Sequence, residues 1–276
     1  MVVVRRSLLP VALSCGLLLG TAAYSRALTV QGDRWLAIAD ILGDVQFVTG
    51  RQRRSAREGD RLASVGDALI TSTNATARLA IDEATGSVTM AENSHLRIQT
   101  LTITRGGGRV TELAVLQGQV RLRLRPFTSP ESRLEIHTPV GVSGVRGTDF
   151  GVTVQPDGQT AIATESGSVA ASAQGETVIV DAGLQSIIRP GSPPTPAQQF
   201  SDDPTLHIEV LRATSSRTAQ IVGYTDIANI VKINGETLSF DESGRFDLSV
   251  PISSRQIRAE VITPLGTQQK YELVVP

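Results

Sequence analysis

The 276 residues carry 26 Lys and Arg against 27 Asp and Glu, a formal net charge of −1, which argues against a general nucleic-acid surface because such binding rests on many phosphate contacts. The single cysteine, Cys15, excludes a disulfide framework. Stability must come from packed apolar cores, and the length has room for two.

In chain order, the first segment reads as targeting rather than fold. Arg5 and Arg6 precede an apolar run from Leu8 to Leu19, followed by Ser25-Arg26-Ala27 as a small-x-small cleavage site. The run is short of the roughly 20 residues that span a bilayer. An export signal at 1–27 is therefore expected, placing the protein in the periplasm or outside the cell; an uncleaved anchor is the alternative. If cleaved, the chain keeps no stable transmembrane span. Arg5-Arg6 fits a twin-arginine signal poorly, given Ser7-Leu8-Leu9-Pro10 after it, and Cys15 stands inside the apolar run rather than after it, against a lipid anchor. Without Arg5, Arg6 and Arg26 the basic side chains fall to 23 against 27 acidic, a net charge of −4.

Residues 28–42 read as an N-terminal lead-in. From Gly43 the chain becomes short alternating runs punctuated by glycine, with no sustained helical period. Arg121 to Arg125 is Arg-Leu-Arg-Leu-Arg, one face for a core and one for water. Phe150–Val154 and Thr160–Thr164, joined through Asp157-Gly158, predict a hairpin. Gly-x-Val recurs at Gly43-Asp44-Val45, Gly86-Ser87-Val88, Gly118-Gln119-Val120 and Gly167-Ser168-Val169. The spacing is too irregular for a strict solenoid but suits stacked layers of short strands. Residues 190–204, rich in proline, read as a linker. Residues 205–276 hold about seven further strand-like runs, with turns at Asn234-Gly235 and Asp241–Gly244, the make-up of a small β-sandwich.

One ordered motif is more specific. Thr138-Pro139, then Val145-Arg146-Gly147-Thr148-Asp149-Phe150, then Gly167-Ser168-Val169, preceded by Val65-Gly66-Asp67-Ala68-Leu69-Ile70-Thr71-Ser72, resembles the FecR domain over 43–189. In its best-known members that domain lies in the periplasm and relays signals from a TonB-dependent receptor, through a membrane helix, to a cytoplasmic anti-sigma segment. Only seven residues precede Leu8 here, so the resemblance is expected to carry the extracytoplasmic module alone. Val231–Glu236 and Asp241–Pro251 resemble the immunoglobulin-like accessory domains of bacterial surface proteins. The resulting expectation is an all-β chain: FecR-like stacked or solenoid-like β-sheets, followed by a small immunoglobulin-like β-sandwich.

Chemistry is sparse. His95, His137 and His207 are isolated from one another, so no metal is expected; no cofactor is expected either. Glu165-Ser166-Gly167-Ser168 lacks the frame of a nucleophile elbow and reads as a turn. Gly106-Gly107-Gly108 has no helix behind it to cradle phosphate. A non-enzymatic protein is expected. Its candidate partner-binding residues are Arg51, Arg53, Arg54, Arg57 and Arg61, offset only by Glu58 and Asp60, because guanidinium pairs well with carboxylate and phosphate. A solvated loop is the plainer reading. Arg146 and Asp149 are added from the motif, against the reading that they pair within the fold. The expected partner is an envelope protein or an anionic envelope polymer, with no nucleic acid. The function expected is a protein-interaction or signal-sensing module; the alternative is a polysaccharide-binding accessory protein, which the low aromatic content disfavours.

Overall fold

The computed structural model describes residues 34–82, 85–241, 243–252 and 255–276. The expected export signal at 1–27 lies outside them. Among the described residues every regular element is a strand, as alternation without helical periodicity requires.

Two sheets stack face to face. The first runs, in spatial order, β3 (Gln52–Ser55), β2 (Val45–Thr49), β5 (Ala68–Thr71), β8 (His95–Ile103), the first half of β9 (Arg109–Leu124), β10 (Arg133–His137), β11 (Val142–Val145), β14 (Ser168–Ala173) and β15 (Glu176–Asp181). The second runs β4 (Arg61–Leu62), β1 (Leu36–Leu42), β6 (Thr76–Ile81), β7 (Gly86–Met90), the second half of β9, β12 (Asp149–Val154), β13 (Thr160–Ser166), β16 (Leu184–Ile188) and β17 (Gln198–Gln199). Among the described residues all pairings are antiparallel except β9 with β10. The chain winds back and forth between the sheets, so their inner faces share one core. Leu69, Leu96, Leu113, Ile136 and Val169 come from the first sheet and Leu79, Leu122, Phe150, Val152 and Ile162 from the second. The predicted hairpin is β12 with β13, and Arg121 and Arg123 face away from the core while Leu122 and Leu124 enter it.

The recurring glycines have a common use. Gly43, Gly118 and Gly167 stand where the chain passes from one sheet to the other, at φ values of 75°, 83° and 81°, which L side chains adopt only under strain. Gly86 differs: it opens β7 within the hairpin to β6.

Two boundaries move. Residues 36–42 of the expected lead-in form β1, paired with β6 and burying Leu36 and Ile38; a bulge between Ile38 and Asp40 breaks its alternation and hid it. The proline-rich stretch is docked rather than free. Thr195 N–H donates to Ile187 O at 2.9 Å, Phe200 N–H donates to Gly183 O at 2.8 Å, and Gln198–Gln199 pair with β16.

Beyond it, β18 (His207–Ala213), β19 (Thr218–Tyr224) and β22 (Arg245–Pro251) form one small sheet. β21 (Glu236–Thr237), β20 (Ile230–Ile233), β23 (Gln256–Ile262) and β24 (Gln268–Val274) form another. Their separate core includes Ile221, Val231, Phe246, Ile257 and Val261. Asn234 and Gly235, at φ 52° and 91°, make the two-residue turn from β20 to β21 that Asn-Gly predicts.

This sandwich is seated on the outer face of the second large sheet. Gly151 lies under Pro264 so closely that a Cβ would collide with the Pro264 carbonyl. Gln119 Nε2 donates to Thr263 O, Arg121 Nη1 to Leu265 O at 2.9 Å, and Gln185 Nε2 to both oxygens of Asp226 at 3.1 and 3.2 Å. Ala161, Ile187 and Ala228 supply a small apolar contact.

Candidate functional site

At one end of the large body, the terminal strands are β3 and β4, and the chain between them closes the stack. Ala56 N–H donates to Val45 O of β2, Gly59 N–H to Ile38 O of β1, and Ile38 N–H to Asp60 O, each at 2.8 Å. Ala56 packs against the core, while all four residues of β3 are exposed. Arg51, Arg53, Arg54, Arg57 and Arg61 therefore share this one closing end.

They are not equivalent. The Arg54 guanidinium lies 4.6 Å from the Phe47 ring centroid and donates to both oxygens of Asp60, at 2.6 and 2.9 Å. That bond holds the Asp60 carboxyl below its usual range, burial opposing it, with the Arg57 backbone N–H adding to it. Arg61 lies over the Trp35 ring at 4.1 Å. These two lock the closing segment against the body through cation–π contact. Arg51 at the hairpin tip, Arg53 on β3 and Arg57 in the closing loop are exposed, and among the described residues they form no ion pair.

The basic surface also continues onto a residue far along the chain. Arg53 stands beside Val48, Val48 beside Ala68, and Ala68 beside Arg97, so Arg97 joins Arg53 across the outer face of the first sheet. His95 reports it: burial and then the charges of Arg97 and Arg53 push its pKa below the ordinary value. Only strand register could have found Arg97, because it lies 44 residues from Arg53.

Arg146 and Asp149 do not belong to this surface. Arg146 Nη2 donates to Pro130 O at 3.0 Å. Asp149 receives a bidentate pair from Arg121 at 2.8 and 2.9 Å and a bond from Arg123 at 3.2 Å. It stands on β12, five strands from β4 in the second sheet, roughly 24 Å at about 4.8 Å per strand. Its carboxylate is used in joining β9 to β12 and, through Arg121, in seating the C-terminal sandwich. The same bonds occupy Arg121 and Arg123, which do not extend the arginine end.

A second concave feature, a cleft of about 780 Å³, lies between the Thr73-Asn74 corner and the four-stranded small sheet. Its charges are largely matched internally. Lys232 pairs with Glu92 and Lys270 with Glu260, leaving less to attract a charged ligand than the arginine end offers.

Residues 67–170 match the family described as FecR protein. No curated protein matches the chain. Two crystal structures of a "putative anti-sigma factor" from Parabacteroides distasonis ATCC 8503 are similar at 13 % and 12 % sequence identity, each with a TM-score of 0.40. Each alignment covers 49 % of this chain and 60 % of that one. The matched residues run from the start of β5 into β14, through the centre of the two-sheet body, and this part of the chain is a FecR domain.

Proposed function

We propose that the protein is a non-enzymatic, extracytoplasmic interaction module with a regulatory or sensing role, in which the arginine end of the FecR-containing body docks a partner's acidic surface. The observation that carries this reading is the set of three exposed arginines, Arg51, Arg53 and Arg57, that form no ion pair among the described residues, on an end held in shape by Arg54 and Arg61. An exposed guanidinium outside any ion pair offers its donors to carboxylate or phosphate at little reorganisation cost. The FecR match supports a signalling role, and the basic, apolar, small-residue pattern of residues 1–27 supports export to the envelope. For the C-terminal sandwich we take the immunoglobulin-like reading. First, second and fifth strands in one sheet, with third, fourth, sixth and seventh in the other, support it.

The test is proximity cross-linking of the tagged protein in its own envelope, comparing wild type with Arg51→Ser/Arg53→Ser/Arg57→Ser. The expected result is a protein partner with an acidic surface captured by wild type and lost from the variant. Co-purification of an anionic glycan with the same dependence would move the polysaccharide reading to first place. Identical capture by both proteins would refute docking through this end.

A further inference from the structure

A stack of two sheets has two terminal rungs, and the arginine end is only one of them. At the other end the first sheet finishes at β15 and the second at β17. Among the described residues, β14 is the only strand partner of β15. Glu176, Thr177, Ile179 and Asp181 of β15 are exposed, as are Gln198 and Gln199 of β17. Ile179 is 52 % exposed, and an open strand edge carrying a large apolar side chain is what soluble sheets ordinarily avoid. Among the described residues neither Glu176 nor Asp181 has an ion pair.

We propose that copies of this chain stack head to tail, the arginine end of one meeting the β15 end of the next. This rests on the basic-end reading above and names a partner for it: a second copy. The two ends are complementary in charge, one presenting Arg51, Arg53 and Arg57, the other Glu176 and Asp181. Charges on an edge strand forbid pairing with a like edge, so two arginine ends repel and two acidic ends repel. Only the mixed contact remains.

Strand direction agrees. The parallel pairing of β9 with β10 leaves β15 running opposite to β3. A second copy placed in the same orientation therefore lays its β3 antiparallel against β15, the more favourable ladder. Ile179 and Arg53 both lie on the outer face of the first sheet, so the Arg53 stem can cover the exposed isoleucine. Such a contact uses different patches on its two sides and does not close on itself, so it builds open chains rather than dimers. With short strands and exposed charges it is concentration-dependent and screened by salt.

The experiment is sedimentation velocity on the protein purified after export, over a concentration series at low and high salt, with circular dichroism confirming the fold of each variant. Wild type should form a growing series of oligomers at low salt and fall to monomer at high salt. Arg51→Glu/Arg53→Glu and Glu176→Arg/Asp181→Arg should each remain monomeric, and mixing them should restore the series, since each variant's altered end meets its complement. Ile179→Lys should also be monomeric. A monomer at every concentration, a dimer that never grows, or a mixture that fails to assemble overturns the proposal. If wild type is monomeric while the Arg51→Ser/Arg53→Ser/Arg57→Ser variant still loses an envelope partner, stacking is wrong and the basic-end reading stands. If stacking occurs and cross-linking captures only further copies, the partner is the chain itself.

Discussion

Lys232 reaches from β20 to the FecR-containing body and places its ammonium against Glu92, with Glu260 at 3.9 Å; its side chain is 5 % exposed and that of Glu92 11 %. A buried pair broken on one side leaves an uncompensated charge, so Lys232→Met should destabilise the protein by about 3 kcal/mol, and adding Glu92→Gln should recover much of that. Urea unfolding of the two variants measures it. Burial alone would raise the Glu92 carboxyl, but the bonds from Lys232 and the Asn74 N–H bring it below its usual 4.5. With the folded value depressed, the stabilisation is complete above 4.5 and is lost as pH falls through the folded value. As pH falls below 4.5, wild type should therefore lose more stability than Glu92→Gln. His95 acts at higher pH. Its folded pKa is also lowered, so the folded state favours the neutral ring, and stability falls as pH drops through the ordinary histidine value of 6.5. His95→Asn should flatten that slope.

Among the elements, β9 is shared by both large sheets. It changes sheet at Gly118, where φ is +83° and a Cβ would collide with Ser94 and the Asn93 carbonyl. Gly118→Ala should therefore cost more than about 1 kcal/mol, because the backbone must leave the left-handed region or force Ser94 aside. Loss of Gln119 and Ser94 protection in amide exchange should accompany it, since Ser94 Oγ receives the Gln119 N–H and Thr71 Oγ1 the Ser94 N–H. On β12 the inward Phe150 is fully buried in the shared core, and Phe150→Ala should cost about 3–5 kcal/mol. That loss would be read as a lower urea midpoint with an unchanged slope.

At the scale of the molecule, the seat of the sandwich on the second sheet decides whether the two cores act together. The contact depends on the bare backbone of Gly151 beneath Pro264 and on side-chain amides of Gln119, Gln155 and Gln185 reaching main-chain or carboxylate oxygens of the sandwich. Trp35 lies in the large body, and the described tyrosines, Tyr224 and Tyr271, lie in the small one, so each core has its own fluorescent probe. Wild type should unfold in one transition by both probes. Gly151→Val, which puts a branched side chain into the seat, should separate them into two.

The sequence by itself determined the class of fold, because alternation of period two fixes which residues can share a buried face wherever strands form. It also determined the turns at Asp157-Gly158 and Asn234-Gly235, whose conformations are local, and the motif that marks the FecR domain. The arginines between 51 and 61 were legible as a cluster for the same reason: they are neighbours along the chain. Only the tertiary structure decided what needs distant partners. It placed Arg97 on the same sheet face as Arg53 by register, paired Asp149 with Arg121 and Arg123 away from the arginine end, and made β1 a core strand despite its bulge. It also turned the proline-rich stretch into part of the second sheet's edge. Each of these depends on which strands lie side by side, and side-chain alternation says which way a residue faces but not what it faces.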